Sequence, residues 1–404
     1  SVLPIWHSYE RSAEYYFFSC GCTQTYTSIR HLKEDLPRVK PIVMATVPRL
    51  WESIKLGFED AVEKAPKCRK ILIKSAISNS KSYKLALRKI NLLTINSVST
   101  LDQIISLIEI ILRFPIHRIS SIYLWPKILT KICGGRLRFP ISGGGAIAPH
   151  VDSFFEALGV ELLVGYGLTE TSPVLTCRRP WRNIRGSAGQ PLPETEIKIV
   201  DSETFQQKKL RQKGLVLARG PQIMSGYLGK ASESKKVLDA NGWFNTGDLG
   251  MLLADGSLVL TGRKKDTIVL SNGENIEPGP LEEALIASPL IEQAFLLGQD
   301  QKQLAALIVL RIDYLKGWLA ERGVNSKIVL GFCPENLELR QTLRIEMNKI
   351  LSNRYGSRRE ERLFSIGLVD PFTMENGLLT QTLKQKREKI IQRDLKIINQ
   401  IYDL

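Results

Sequence analysis

Apolar positions along the first 170 residues follow two alternating periods. Residues 40–48 (Lys-Pro-Ile-Val-Met-Ala-Thr-Val-Pro) make a short β-branched apolar run, and an amphipathic stretch follows at 49–62. That reads as strand then helix, one half of a βαβ unit. The same beat returns at residues 137–142, where a glycine loop leads into a helix-like stretch at 150–158. It returns again at 160–164, running into Gly165-Tyr-Gly167. Strands alternating with helices predict an α/β fold, with a parallel sheet whose carboxyl edge carries the ligand loops.

From Gly186 the rhythm changes. Residues 196–201, 214–219, 249–253 and 257–261 read as short strands between Gly, Pro, Asn and Asp turns. Ala254-Asp-Gly256 marks a hairpin, because Asp-Gly supplies the positive φ of a tight turn. The pattern predicts a β-rich subdomain over about residues 186–262. The run Gly262-Arg-Lys-Lys-Asp266 has no apolar core position, and a separate α+β unit begins beyond it. The expected domains are therefore 1–262 and 263–404.

Two further stretches read as helices. Residues 64–100 carry Lys64, Lys67, Arg69, Lys70, Lys74, Lys81, Lys84, Arg88 and Lys89 with no acidic residue, interleaved with Ile71, Leu72, Leu85, Leu87 and Ile90. This predicts a basic amphipathic helix, apolar face down and cationic face out. Residues 101–115 are more apolar but are interrupted by Asp102, Gln103, Glu109 and Arg113, too short a run to span a bilayer. They fit a core helix, a partner surface or a membrane-surface element equally well.

Composition narrows the class. The 404 residues, 43% hydrophobic and 24% charged with 30 Gly and 19 Pro, suit two or three globular domains and exclude a collagenous or largely disordered chain. Six cysteines (Cys20, Cys22, Cys68, Cys133, Cys177, Cys333) are too few and too irregular for a disulfide framework or a structural zinc site, so a reduced, cytosolic chain is the expectation. Ser1-Val-Leu-Pro4 has neither the basic nor the apolar region of a secretory signal. The net charge of +15 is concentrated: residues 64–138 carry 15 Lys and Arg against only Asp102 and Glu109, whereas residues 263–404 are nearly balanced. Such a field draws phosphates, anionic lipid or an acidic protein, and a solvated basic face without a partner is the plain alternative. Sparse aromatic interleaving argues against nucleic acid.

The sharpest local signal is Val164-Gly-Tyr-Gly-Leu-Thr-Glu-Thr-Ser172. A strand entering Gly-x-Gly and then Thr-x-Thr-Ser offers amides and hydroxyls to a phosphate, with Glu170 the kind of carboxylate a hard cation takes. A plain turn with an exposed Glu fits the spacing too. Ile141-Ser-Gly-Gly-Gly-Ala-Ile-Ala148 follows another expected strand, and its glycines let a flat ligand approach the backbone. It lacks the spacing of a dinucleotide fingerprint. Asn241-Gly-Trp-Phe-Asn-Thr-Gly-Asp-Leu-Gly250 brings Asp248, able to accept from a ribose diol. Residues 258–277 and 374–387 complete the set.

Together and in this order, these motifs resemble the adenylate-forming acyl-activating ligases, the AMP-binding enzymes. The resemblance runs from Leu3-Pro-Ile-Trp-His-Ser-Tyr-Glu-Arg11 to Thr380-Gln-Thr-Leu-Lys384 and beyond. The wording of its two ends is similar to the long-chain fatty acid branch that transfers acyl groups to acyl carrier protein, with the coenzyme A ligases alongside. The resemblance implies the C-terminal part of a large α/β AMP-binding domain with a β-rich subdomain, followed by a small mobile α+β domain. It implies that Thr169 holds the α-phosphate and Glu170 the Mg²⁺ ion, that Gly144, Gly145 and Ala146 pass along the adenine, and that Tyr166, beside Gly167, stacks on its face. Asp248 and Arg263 take the ribose hydroxyls, Trp6 and His7 border the acyl carboxylate, and Lys384 contacts the reacting carboxylate and phosphate. Lys265 maps to the hinge at 263–266. ATP, Mg²⁺ and coenzyme A or the phosphopantetheine of acyl carrier protein are the implied cofactors, and a long-chain fatty acid is the substrate. A cytoplasmic or plastid stroma-like compartment is implied; contact with an anionic membrane is an expectation from the basic segment 64–138, with an acidic carrier protein as the alternative partner.

The family's phosphate loop, of the form Thr-Ser-Gly-Thr-Thr-Gly-x-Pro-Lys-Gly, belongs upstream of Leu3 and is not among these residues. Two readings follow. One is an ATP-dependent acyl ligase; the other is a catalytically incomplete fragment keeping weak nucleotide or membrane-surface binding.

Overall fold

The computed structural model describes residues 1–321, 337–354, 356–381 and 383–403. Its chain divides into two compact units, Ser1–Thr246 with Gly250–Leu260, and Gly247–Leu249 with Thr261–Leu404.

In the first unit the expected beats appear as α1 (Ser8–Ser19), α2 (Leu32–Val39), β1 (Val43–Thr46), α3 (Pro48–Glu63), α4 (Lys67–Ile90), α5 (Thr100–Ile119), α6 (Trp125–Cys133), β2 (Phe139–Ser142), α7 (Pro149–Ala157), β3 (Leu163–Tyr166), β4 (Thr176–Cys177) and β5 (Gln190–Pro191). One sheet takes them in the order β1-β2-β3-β4-β5. The first three strands are parallel, with Thr46 opposite Ser142 and Ser142 opposite Val164, and β4 and β5 add on antiparallel. That register puts the loops after β2 and β3 side by side at one edge. Behind the sheet, Trp51 of α3 and Val151, Phe154 and Phe155 of α7 fill the core, the Trp51 and Phe155 rings meeting edge-on at 4.9 Å. Trp51 is fully buried and donates its Nε1–H to Thr46 Oγ1 at 2.8 Å, which satisfies an indole that burial would otherwise penalise.

The β-rich segment forms β6 (Glu196–Val200), β7 (Gly214–Arg219), helix α8 (Ala231–Val237), β8 (Phe244–Leu252) and β9 (Leu258–Arg263), in sheet order β6-β7-β8-β9. The hairpin between the last two turns on Gly256 at φ +83°, as the Asp-Gly pair requires.

In the second unit β10 (Ile268–Val269) and β11 (Asn275–Ile276) form a small ladder, and α9 (Pro278–Ile286), β12 (Ile291–Leu297), β13 (Leu304–Leu310), α10 (Ile312–Glu321), α11 (Leu337–Ser352), β14 (Leu363–Leu368), α12 (Arg387–Arg393) and α13 (Leu395–Tyr402) follow. The strands β12-β13-β14 make a sheet buried on both faces: Leu281, Leu343 and Met347 cover one side and Phe372, Ile390 and Ile401 the other. This accounts for the unbroken apolar run Leu304–Leu310, all of it buried.

The basic helix forms, but not with the expected apolar face. Ile73, Ala76 and Ala86 of α4 point inward, whereas Ile71, Leu72 and Leu85 are exposed. Spacings of three to four residues set the buried row, and Ile71, Leu72 and Leu85 fall off it. Its cations are partly committed as well: Lys70 and Lys74 both bond Glu63, and burial first, then Lys55, lowers the pKa of Lys81. Among the described residues no helix is long and apolar enough to cross a membrane. Cys20, Cys22, Cys68, Cys133 and Cys177 are free thiols; Cys333 lies outside the described residues.

Candidate active site

Helix α1 starts at His7, whose Nδ1 accepts the Tyr9 amide at 3.2 Å and so caps the first turn. Trp6 beside it is exposed, its ring 6.2 Å from the imidazole. Two residues on, the Tyr9 hydroxyl donates to the Ile141 carbonyl of β2 at 3.1 Å, and Thr46 Oγ1 donates to the same oxygen at 2.7 Å. Tyr9 thus ties α1 to the strand that feeds the glycine loop, and burial pushes its phenol well above the usual value. Its ring lies under Gly143, where a Cβ would sit 3.1 Å from Tyr9 Cε1. Gly144 holds φ +78° and, with Gly145 and Ala146, is exposed, so this stretch presents its backbone outward.

The neighbouring loop leaves β3 at Tyr166, which packs against Ile199, Val216 and Leu258. At Gly167 a Cβ would fall 1.9 Å from the Pro173 carbonyl oxygen, so the doubling-back of residues 167–173 requires glycine. Thr171, fully buried, locks the turn: its Oγ1 accepts the Leu168 amide at 2.9 Å and lies 3.0 and 3.1 Å from the Leu168 and Pro173 carbonyls. That leaves Thr169 exposed and Glu170 half-buried. The Tyr227 hydroxyl donates to Glu170 Oε1 at 2.9 Å, and the Met224 amide to the Glu170 carbonyl at 2.9 Å. Burial, then Glu170 itself, raises the Tyr227 pKa. Nothing in the local sequence marked Tyr227, because it meets Glu170 from 57 residues away.

Behind both loops lies a buried charge cluster that sequence reasoning missed. Asp152 and Glu156, four residues apart on α7, face away from the aromatic core. Arg178, just past β4, donates to Asp152 Oδ2 at 2.7 Å and to the Ser187 carbonyl at 2.6 Å. Arg185 bonds the other oxygen of Asp152 and stands 3.7 Å from Glu156, which Arg88 of α4 approaches at 3.4 Å. Burial pushes the Asp152 carboxyl up, but Arg178 and Arg185 outweigh it and hold its pKa below the carboxylate range. The cluster fixes α7, which follows the glycine loop, to the strand that pairs with the exit of β3.

The second unit gathers four of the sequence-predicted residues. Asp248, buried on β8, pairs with Arg263 Nε at 3.0 Å. Lys384 sits on a tight turn where its amide bonds Thr380 Oγ1 and its carbonyl accepts from the Thr380 amide. Its side chain reaches the surface, yet the ammonium is partly enclosed. That burial, then Arg263 and Lys265, lower its pKa, and Asp248 opposes them. Arg263 and Lys265 both act on Lys384, so positive charge is concentrated on this side of the second unit. Among the described residues no group of three His, Cys, Asp or Glu side chains is arranged to hold a metal by itself.

The AMP-binding enzyme domain matches residues 1–228, and the AMP-binding enzyme C-terminal domain matches residues 265–328. Over 424 residues the chain is 37% identical to probable acyl-activating enzyme 16, chloroplastic, of Arabidopsis thaliana, all of this chain aligning with 57% of that protein. Over 426 residues it is 38% identical to a chloroplastic long-chain-fatty-acid–[acyl-carrier-protein] ligase of the same plant, again over its full length and 55% of the relative. Peroxisomal long chain acyl-CoA synthetase 6 of Arabidopsis is 29% identical, with 54% of it covered. The chain spans little more than half the length of the curated relatives it matches. In fold it is similar to the O-succinylbenzoate coenzyme A synthetase of Bacillus subtilis in complex with AMP (TM-score 0.61, 19% identity, 96% of this chain and 59% of that one). It is also similar to the adenylation domain of a carboxylate reductase from Mycobacterium chelonae (TM-score 0.66, 20% identity, 100% and 53%). With a domain match over more than half of its length, and relatives that are acyl-activating enzymes and long-chain acyl ligases, this chain belongs to the AMP-binding enzyme family.

Proposed function

We propose that this protein is a ligase forming carbon–sulfur bonds, which activates a long-chain fatty acid with ATP and passes the acyl group to the pantetheine thiol of acyl carrier protein or coenzyme A. In the first step a carboxylate oxygen attacks the α-phosphorus, an O–P bond forms, the bond to the β-phosphate breaks and pyrophosphate leaves. In the second the thiol sulfur attacks the acyl carbon, a C–S bond replaces the C–O bond to AMP, and the thiol proton goes to solvent. Catalysis of this kind is positioning plus charge neutralisation.

The observation that carries the reading is the buried Asp248 paired with Arg263 at 3.0 Å, with Lys384 and Lys265 adding positive charge beside Arg263. In our assignment Lys384 neutralises the carboxylate and phosphate oxygens as they meet, and Asp248 with Arg263 holds the ribose hydroxyls. Gly144, Gly145 and Ala146 give the adenine a backbone edge, with Tyr166 on its face and Gly167 turning the chain toward the phosphate. Thr169 bonds the α-phosphate, and Trp6 and His7 border the acyl carboxylate. Glu170, oriented by Tyr227, is the carboxylate for Mg²⁺, an ion that takes one or two carboxylates and completes its shell with phosphate oxygens and water. When bound, that ion offsets the negative charge of the phosphates. Residues 263–266, with Lys265, are the proposed hinge of a mobile domain from 263 to 404. Two of the relatives are chloroplastic, which supports a plastid stroma-like setting.

The test is exchange of labelled pyrophosphate into ATP, dependent on a long-chain fatty acid and Mg²⁺, by a purified version extended at its N-terminus to carry the phosphate loop. Lys384→Ala abolishes exchange and leaves thioester formation from supplied acyl-adenylate largely intact. Equal loss of both half-reactions refutes the role of Lys384, and no exchange in the extended version without substitution refutes the ligase reading.

A further inference from the structure

The helix α5 is turned inside out. Leu101, Ile104, Ile108, Leu112, Ile116 and Ile119 recur at spacings of three and four, so they form one stripe along the helix. That stripe faces outward: Leu101 is 73% exposed, Leu112 71% and Ile119 60%. The opposite face is polar and is the one that meets α4. Ser106 is buried there, Asn79 donates to the Arg113 carbonyl at 3.0 Å, and His117 Nδ1 lies 2.9 Å from Ser80 Oγ. The His117 ring also stacks on Tyr83, centroids 4.3 Å apart. The helix is deliberately begun, with Ser99 and Asp102 forming a reciprocal capping box. A surface helix ordinarily buries its apolar stripe, and a contiguous exposed one marks a surface that something covers.

We infer that the outward face of α5 docks on an anionic lipid bilayer. The inference rests on this surface alone and stands apart from the ligase reading. Charge selects the occupant. The segment 64–138 has 15 Lys and Arg against two acidic residues, and Lys64, Lys67, Arg69, Arg118, Lys127 and Lys131 are exposed. A second copy of the chain, paired about a two-fold axis, would set these like-charged segments against each other. An acidic protein would find its charge complement but few hydrogen-bond partners along the stripe, where a protein interface normally makes about ten. A bilayer needs none: acyl chains take the aliphatic face and headgroups take the cations. A helix of 20 residues, about 30 Å long, suits lying in the interface, and no helix described is able to span.

Flotation of the purified protein with vesicles tests this. With phosphatidylcholine vesicles containing about 30 mol% phosphatidylglycerol at low salt the protein floats, and it is released as salt screens the headgroups. Ile104→Asp with Ile108→Asp, at exposed positions that leave circular dichroism unchanged, lowers the bound fraction about tenfold or more. Arg118→Glu with Lys127→Glu lowers binding to the anionic vesicles only. Unaltered protein that stays at the bottom of the gradient overturns the proposal. So does an Asp variant that floats as well as the parent. A dimer in sedimentation velocity that Ile104→Asp dissolves, without flotation, overturns it in favour of a second copy.

Discussion

Asp152→Asn removes the carboxylate that Arg178 and Arg185 share, leaving Arg185 with Glu156 at 3.7 Å and Glu161 at 3.0 Å. Asn keeps an amide oxygen of nearly the same shape, so the perturbation is mainly electrostatic. At a charge separation of ~4 Å and an effective dielectric constant of about 20, each pair attracts by about 4 kcal/mol. Desolvation of the pair offsets much of that in the native protein, but after the substitution the arginines remain desolvated with less to offset them. Breaking a buried pair in this way typically costs 3–5 kcal/mol, and we expect a loss of about that size. Urea unfolding followed by fluorescence of the buried Trp51 and Trp125 reads the first unit directly. The double-mutant cycle with Arg178→Met isolates the pair: the double variant should recover at least about 1 kcal/mol relative to the sum of the singles. The sign with pH also follows. A carboxyl whose folded pKa is depressed contributes stability above its unfolded value of about 3.9, and that contribution is lost as pH falls through the folded value. The gap between the parent and Asp152→Asn therefore narrows below pH ~4. A loss under about 1 kcal/mol at pH 7, or strict additivity in the cycle, refutes the reasoning.

Two other predictions concern the loops and the lysine. Gly167→Ala drives a methyl into the Pro173 carbonyl and within 3.0 Å of the Leu175 amide, backbone atoms that cannot swing aside, and costs at least about 3 kcal/mol. Gly165→Ala, whose nearest neighbour would be the Thr176 carbonyl at 4.0 Å, stays within about 1 kcal/mol, and equal urea midpoints for the two variants refute the packing argument. Lys384 must be protonated to act, so pyrophosphate exchange should fall as pH rises through a pKa below the usual lysine value of about 10.4. Lys265→Met removes a like charge and moves that alkaline limb upward; a pH–rate profile with an unmoved limb refutes the coupling.

Much of this protein was legible before any coordinate. The strand–helix beats at residues 43–63 and 139–157, the strand running into Gly165-Tyr-Gly167, the Asp255-Gly256 hairpin and the glycine loop after β2 are local: each depends on hydrogen-bond periods and on turns that a few consecutive residues dictate. Glu170, Asp248, Arg263 and Lys384 came instead from the family resemblance that the ordered motifs carry, since the spacing around Glu170 fits a plain turn as well. Tertiary structure decided what local pattern cannot carry. Tyr227 reaches Glu170, and Arg178 and Arg185 share Asp152, across separations of 57, 26 and 33 residues. No period of 2 or 3.6 encodes those meetings. The helix α5 is the clearest case. Its sequence announces an amphipathic helix, since alternating apolar and polar positions define two faces. Which face turns inward depends on what α4 offers, and Asn79, Ser80 and Tyr83 offer polar and aromatic partners. The polar side went in, and the aliphatic side stayed exposed.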